Sequence, residues 1–569
     1  MTGRVVAAAL AAGIAVAALH GAASHARAAS AVVRPNVVVL MTDDQTVESL
    51  RVMPHVKRLL ADKGVTFDNS FVSYSLCCPS RSTYLTGQYA HNHRVWGNAA
   101  PSGGYYKLDS TNTLSVWLQR AGYETIHVGK YLNGYGTRNP TEIPPGWSQW
   151  YGSVDPLTYR YFDYTLNENG GLVTYDDSLP ANYQTDVYAQ KAVDLIDDLA
   201  TGPRPFFLSL AFVAPHSGAP ADPGDPVGQP TPSPAPRHRD AFANEPLPMP
   251  PSFNEADVSD KPAAIRKLPL LRPGKIRAIR ENYQQRLESL LAVDEGVGQI
   301  VDELSAVGKL ESTYVIFTSD NGFFHGEHRV PAGKILLYEP SVRVPLIIRG
   351  PTIPHGQHRS EFVANVDLAP TIVDVTSAQP ERVMDGQSLI PFARDRLLHS
   401  GRDILLETPS YAAVRAPNWL YAEHVTGERE LYNLARDRDE LDNLQRNRGY
   451  GPIKANLAMR LARVRACAGH TCRRGAELWL RSRADQRPRT QSCRTARVRV
   501  VIGSASPWRI GDAAFYLDGH LLERDHRLPF AVLVPKRLVK PGGSLFEAVV
   551  TLRDSRHQTL IHRIVGCRL

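Results

Sequence analysis

The most reactive side chains in this sequence stand in one string, Cys77-Cys78-Pro79-Ser80-Arg81-Ser82-Thr83-Tyr84-Leu85-Thr86-Gly87. A thiol becomes a nucleophile when its pKa is lowered and a base lies within reach. Arg81 could lower it, but the string contains no base. Zinc does not explain the pair, because the C-x-x-C spacing and a second cysteine pair nearby are both missing. A vicinal disulfide or a buried structural thiol stands as the alternative. Asp43-Asp44 and Asp320-Asn321 form a second group. These are hard oxygen donors with no His or Cys among them, which suits Ca²⁺ or Mg²⁺ rather than zinc. Acidic pairs after strands also cap helices, so spacing alone leaves both uses open. The third group is Arg81, Lys130, His216 and Lys334. Fixed cations suit an anionic ester whose charge redistributes in the transition state, and an imidazole suits proton transfer.

Four short apolar runs position these residues. Residues 36–41 (NVVVLM) lead into Asp43-Asp44, 124–128 into Lys130, 205–213 into His216, and 313–318 into Asp320-Asn321. Helical patterns at 54–62, 111–121, 186–200 and about 273–304 alternate with them. Buried strands alternating with helices predict an α/β fold, a mostly parallel central sheet with helices on both faces. In such sheets ligands bind beyond the carboxyl ends of the strands, where the polar groups fall. Twelve prolines between Pro215 and Pro251 mark a long extended loop that begins at His216. It either shapes the site's entrance or is a solvated surface loop. Short β patterns at 402–441 predict a small antiparallel sheet. Those from 496 onward predict a β-sandwich of immunoglobulin-like type.

The string C-x-P-S-R followed by Leu-Thr-Gly resembles the hallmark of the type I sulfatase family. The stretches 88–93 (QYAHNH), 129–133 (GKYLN), 145–151 (PGWSQWY) and 318–322 (TSDNG) are similar to its N-acetylglucosamine-6-sulfatase branch. The resemblance covers roughly residues 35–440 and implies an alkaline-phosphatase-like catalytic fold. It implies that a formylglycine-generating enzyme oxidises Cys77 during export to the catalytic aldehyde, formylglycine. Asp43, Asp44, Asp320, Asn321 and the converted Cys77 would then hold the metal; calcium is the family's ion, and the donors suit magnesium as well. The hydrated aldehyde attacks sulfur, Arg81, Lys130 and Lys334 stabilise the sulfuryl oxygens, and His216 protonates the departing alcohol. The implied substrate is a sulfated carbohydrate such as 6-sulfated N-acetylglucosamine. One position departs from the pattern: many members carry a histidine two residues after the Gly-Lys lysine, and here that residue is Leu132. The second base is left among His93, His127 and His325, with Asn133 as an orienting group. His91, Asn92 and His93 read as a polar loop rather than substrate contacts. The rival functions are a phosphoester or phosphonate hydrolase of the same superfamily and a non-catalytic protein that binds anionic glycans.

Composition sets the frame. With 569 residues, 43% hydrophobic and 21% charged, the chain is an ordinary globular protein of several domains, neither disordered nor fibrous. Arg4, an apolar run over 5–19 and Ala26-Arg27-Ala28 read as a secretory signal over 1–28, cleaved near Ala28. That run is shorter than the ~20 residues a membrane span requires, and no later segment reads as transmembrane. A secreted product follows. The expected layout continues with a catalytic domain at 29–400, an antiparallel subdomain at 401–459, an arginine-rich linker at 460–494 and the sandwich at 495–569. Four late cysteines in an exported chain read as two disulfides, Cys467–Cys472 and Cys493–Cys567 being favoured over the other pairings. The formal net charge of +8 is uneven: residues 29–459 carry −8, residues 460–499 carry +10 and residues 500–569 carry +4. Arginines without interleaved aromatics argue against nucleic acid as the partner. The basic tail is instead expected to meet an anionic glycan or cell surface.

Overall fold

The computed structural model describes residues 34–473 other than 397 and 399, and then 478–484, 497–504, 510–540, 543–552 and 557–564. The expected leader, part of the arginine-rich stretch, and the expected Cys493–Cys567 pair lie outside the described residues. The main sheet has ten strands: β1 (Asn36–Thr42), β2 (Val65–Phe71), β3 (Glu124–Gly129), β4 (Gln149–Ser153), β5 (Tyr164–Glu168), β6 (Gly171–Tyr175), β7 (Phe206–Ala211), β8 (Thr313–Ser319), β9 (Leu346–Arg349) and β10 (Gln357–Ala364). Their order is β10-β2-β9-β8-β1-β7-β3-β4-β5-β6. From β8 to β4 all neighbours are parallel, while β9 and the β5–β6 hairpin run antiparallel.

β1 shows why the sheet is covered on both faces. Successive side chains point to opposite sides, so Val37, Val39 and Met41 enter one core with Trp117, Leu118 and Leu368. Val38 and Leu40 enter the other with Tyr188, Ile196, Leu287 and Val297, from helices Gln184–Ala200 and Pro273–Ala306. Inner strand ends are level: Met41 lies opposite Ala211 and Thr318, and Gly129 opposite Ala211. Backbone bonds extend the ladder past those ends, from Phe212 N–H to Met41 O (2.9 Å), Lys130 N–H to Ala211 O (2.9 Å) and Asp320 N–H to Thr42 O (3.1 Å). Asp43, Lys130 and Asp320 therefore leave the sheet along one edge, with His216 five residues beyond β7.

The helix expected at 54–62 is present over 54–61, widening at Val56–Ala61. Another expected helix is shorter than its pattern. The 111–121 helix occupies Leu114–Arg120, because Thr113 is still extended at φ −133°.

Strands β11 (Ile404–Glu407), β12 (Tyr411–Ala416), β13 (Trp419–His424) and β14 (Arg429–Asn433) form an antiparallel meander. Helix Gly451–Arg465 packs on it through Ile453, Leu457 and Leu461. The stretch expected as a linker from 460 thus begins inside a helix, where Arg460 Nε donates to buried Asp403 at 2.9 Å. Cys467 and Cys472 are disulfide-bonded. Beyond them lie β15 (Leu478–Ala484), β16 (Arg497–Ser504), β17 (Ile510–Leu517), β18 (His520–Asp525), β19 (Ala531–Pro535), β20 (Ser544–Leu552) and β21 (His557–Ile564). They form antiparallel sheets β15-β16-β19 and β18-β17-β20-β21, which share a core including Val500, Val534, Phe515 and Phe546. β15 precedes residue 495, the expected start of the sandwich, yet pairs along β16. No described helix is long and apolar enough to cross a membrane.

Candidate active site

Helix α1 (Cys77–Thr86) delivers Cys77 as its first residue. Leu76 before it is extended, and Pro79 sits in the first turn, where a missing N–H costs nothing. Gly87 stops the helix at φ 66°, its N–H bonded to Thr83 O at 2.8 Å. A Cβ there would meet Met384 Cγ at 2.9 Å, so glycine suits both the turn and the space. The proline and glycine of the string are thus the start and stop signals of a fully buried helix. Cys77 and Cys78 are free thiols, which removes the vicinal-disulfide alternative.

Cys77 meets the strand ends in a closed ionic cluster. Its Sγ lies 3.7 Å from Asp43 Oδ1 and accepts a hydrogen bond from Lys334 Nζ at 3.0 Å. Lys334 also pairs with Asp44, and Lys130 with Asp43. Arg81 Nε donates to Asp320 Oδ2 at 2.7 Å, and its Nη2 lies 3.3 Å from Asp43 Oδ2. His216 Nε2 is 3.7 Å from Asp44 Oδ2, while its Nδ1 lies 2.8 Å from Ser217 O. Burial alone would raise the Asp43 carboxyl, but Lys130, His216, Arg81 and Lys334 hold it well below the usual range. Burial pushes the Cys77 thiol up, and neighbouring Asp43 adds to that. It pushes the His216 imidazole down to about 4 against the pull of Asp44 and Asp43.

A cation fits this donor set. Asp43, Asp44, Cys77 and His216 offer ligand atoms that all lie within 4.8 Å of one another. Asn321 donates from Nδ2 to Asp44, while its Oδ1 is buried with no partner among the described residues. A buried oxygen without a donor, beside three buried carboxylates, is what a hard dication would satisfy.

A family model described as Sulfatase matches residues 35–378, and a second, described as N-sulphoglucosamine sulphohydrolase, C-terminal, matches 326–467. The chain belongs to the sulfatase family. It is 35% identical to an arylsulfatase of Volvox carteri, over 78% of this chain and 76% of that one. It is 33% identical to the human N-acetylglucosamine-6-sulfatase, over 77% of this chain and 86% of that one. A solved structure described as in complex with its substrate D-glucosamine-2-N,6-O-disulfate shares the fold at TM-score 0.62 and 24% identity, covering 75% of this chain and 97% of that one. The protein is accordingly a sulfuric ester hydrolase.

The sulfatase fold brings together all nine residues that the sequence nominates, although not always in the expected posture. Arg81 is 3% exposed and its donors are taken by Asp320, Asp43 and Lys130 O, so it braces the cluster instead of facing a ligand. His93 bonds Thr83 Oγ1 at 3.0 Å, His127 stacks on Trp150 with centroids 4.8 Å apart, and His325 packs edge-on to Tyr283. Burial pushes His93 and His127 down to about 3. Each is committed elsewhere, and the groups beside Cys77 are Asp43 and Lys334. Leu132 lies in the apolar core, 2% exposed. His91 is held by Glu407 at 2.9 Å and by Cys467 O at 2.8 Å, and Asn92 by Asp385 at 2.8 Å. Those contacts are structural.

Sequence reasoning passed over Arg286, which donates to Asp44 O, and Tyr159. Lys130 Nζ stands 4.6 Å from the Tyr159 ring centroid, and the His216 ring 4.5 Å from it. Asn133 Nδ2 donates to its hydroxyl at 2.6 Å, and Ala219 N–H to its carbonyl at 3.1 Å. The ring thus separates and orients two cluster residues. Tyr159→Leu is expected to lower kcat about tenfold, whereas Tyr159→Phe, which keeps the ring, stays close to the parent. Steady-state rates with a melting curve for each variant check this, and equal losses in both would shift the role from ring to hydroxyl.

Proposed function

We propose that this sulfatase uses formylglycine made from Cys77 to hydrolyse a sulfate monoester of a sugar, with 6-sulfated N-acetylglucosamine as the representative substrate. The observation that carries the reading is the position of Cys77, at the first turn of a buried helix and within reach of both Asp43 and Lys334. Similarity to the human N-acetylglucosamine-6-sulfatase supports the sugar. When present, the aldehyde supplies a carbonyl whose hydrate is the nucleophile, and a divalent cation, calcium by preference, supplies Lewis acidity. Asp43, Asp44, Asp320 and Asn321 would hold that cation.

The remaining work falls to side chains. Lys130 and Lys334 place positive charge where the sulfuryl oxygens gather negative charge, in a site too dry to screen it. Arg81 keeps Asp43 and Asp320 fixed beneath them. His216, oriented through Ser217 O, delivers a proton to the departing alcohol oxygen. Its imidazole is neutral at rest, and an arriving anionic ester favours its protonation.

Two measurements test the reading together. Mass spectrometry of the Cys77 peptide from exported protein should find the thiol replaced by an aldehyde. Rates on N-acetylglucosamine 6-sulfate should exceed those on the 6-phosphate. An unconverted thiol in fully active enzyme, or a faster phosphate ester, would overturn it.

Export through the leader at 1–28 and conversion by a formylglycine-generating enzyme are part of the same proposal. The arginine-rich stretch and sandwich are proposed to attach the enzyme to an anionic glycan or cell surface. Ending the chain before Leu478 is then expected to spare hydrolysis of a small aryl sulfate and to shorten retention on immobilised heparin. Unchanged retention would remove that role from the tail.

A further inference from the structure

A cavity of about 360 Å³ lies between the loop after β1, the proline-rich segment, helix Pro273–Ala306, the loop after β8 and residues 438–440, and shares no lining residue with the Cys77 cluster. Its size falls within the range of small-molecule sites. Two of its lining residues are fully buried yet incompletely bonded. His328 Nε2 and Glu440 Oε1 have no partner among the described residues, at 0% and 1% exposure. Both residues stand in left-handed backbone, at φ 51° and 57°. Non-glycine residues keep that conformation only where their surroundings impose it, and such positions gather at ligand clamps.

The unused atoms define what is missing. His328 Nδ1 lies 2.6 Å from the Glu255 carboxylate, which fixes a proton on Nδ1 and leaves Nε2 without a partner. Glu440 Oε2 accepts from Glu339 N–H at 3.0 Å, and Oε1 is free to accept more. Glu339 is paired with Arg415 and Glu48 with Arg51, but Glu327, Asp439 and Glu440 have no ion-pair partner among the described residues. Arg343, on the same wall, is turned away to Asp68 O at 2.6 Å. Burial, with Glu339 beside it, holds the Glu440 carboxyl well above the usual range, and burial likewise raises Glu327. Five acids, Glu48, Glu327, Glu339, Asp439 and Glu440, line the cavity against two arginines, Arg343 and Arg438, so acid outnumbers base there. Phe323, Tyr283 and Pro340 supply apolar walls between them. The acidic and imidazole ligand atoms do not converge as a metal requires: among the described residues, the one such group is at Asp43–His216.

We infer that this cavity binds a small organic amine in its ammonium form, its carbon body against Phe323 and Tyr283 and its charge on Glu327, Asp439 and Glu440. The wall that would hold it belongs to the segment that continues to Lys334, closed on itself by Phe324 N–H to Gly333 O at 2.9 Å. An occupant would therefore brace the loop that presents a lysine to the active site. This site stands independently of the proposed substrate.

Titration calorimetry of the intact protein with putrescine, against 1,4-butanediol as the neutral molecule of equal length, tests the inference. Putrescine should bind with one-to-one stoichiometry and the diol should not. Glu327→Gln and Asp439→Asn should each weaken putrescine by about tenfold, and Glu311→Gln, an acid on the far surface, should not. Melting curves establish that the variants fold. Indifference of putrescine binding to both cavity substitutions, equal binding of the diol, or displacement of putrescine by Mg²⁺ at stoichiometric concentration would each overturn it.

Discussion

Replacing Cys77 by alanine abolishes turnover while the protein still folds. The side chain is 1% exposed, but its polar contacts are few: Lys334 at 3.0 Å and Asp43 at 3.7 Å. Removing one sulfur leaves a small void, worth about 1–2 kcal/mol, which a stability of several kcal/mol absorbs. Lys334 keeps Asp44 as a partner, so no buried charge is left bare. Catalysis is different, because no neighbouring group can become an aldehyde. The loss in kcat should exceed roughly 10⁴-fold, the scale on which a covalent nucleophile is missed. Cys78, next in the chain, cannot substitute: it is buried in the apolar core, its backbone N–H held by Asn98 Oδ1 at 3.0 Å. Turnover of 4-nitrophenyl sulfate and a melting curve on the same preparation check both halves. Activity above about one part in a hundred of the parent would break the link between Cys77 and the reaction.

What could be read from the sequence follows from how each element announces itself. The inner strands are legible because burial on both faces makes them unbroken apolar runs, and the site is legible because its polar residues follow those runs at once. The outer strands are half-exposed and carry no such mark. For the β5–β6 hairpin a signal existed in Asn169-Gly170, both with positive φ, 51° and 95°. Helix Gly451–Arg465 hides beneath its arginines, although Ile453, Leu457 and Leu461 recur at helical spacing and are its buried side. β15 is masked similarly, since the apolar Leu-Trp-Leu that opens LWLRSRA gives way at once to Arg481 and Arg483. Tyr159 had no signal. It comes from a single short turn, Leu157–Tyr159, and acquires its place only through the Pro-rich loop that returns beside it. Arg81 illustrates a different limit: sequence gives the charge and the neighbourhood, but not that three acceptors already occupy it.

Removing the His216 imidazole should separate substrates by the leaving group they carry. His216→Ala is expected to lower kcat on a sugar sulfate by about 10²–10⁴-fold, the usual contribution of a positioned general acid. On 4-nitrophenyl sulfate the same variant should lose less than about tenfold, because nitrophenolate departs without a proton. The geometry makes the comparison clean. His216 touches the cluster only through Nε2, 3.7 Å from Asp44, and Asp44 keeps Lys334 and Asn321 as partners when the ring is gone. Lys130 and Lys334 remain to hold the sulfuryl group, so KM for the two esters should change little and in parallel. A helper that merely packed against Tyr159 would depress both rates by one factor, as would a general disturbance of the cation site. Measuring kcat across alkyl and aryl sulfates of graded leaving-group acidity turns this into a slope. A steeper dependence in the variant assigns the proton to His216, and an unchanged slope with uniformly lower rates would take it away.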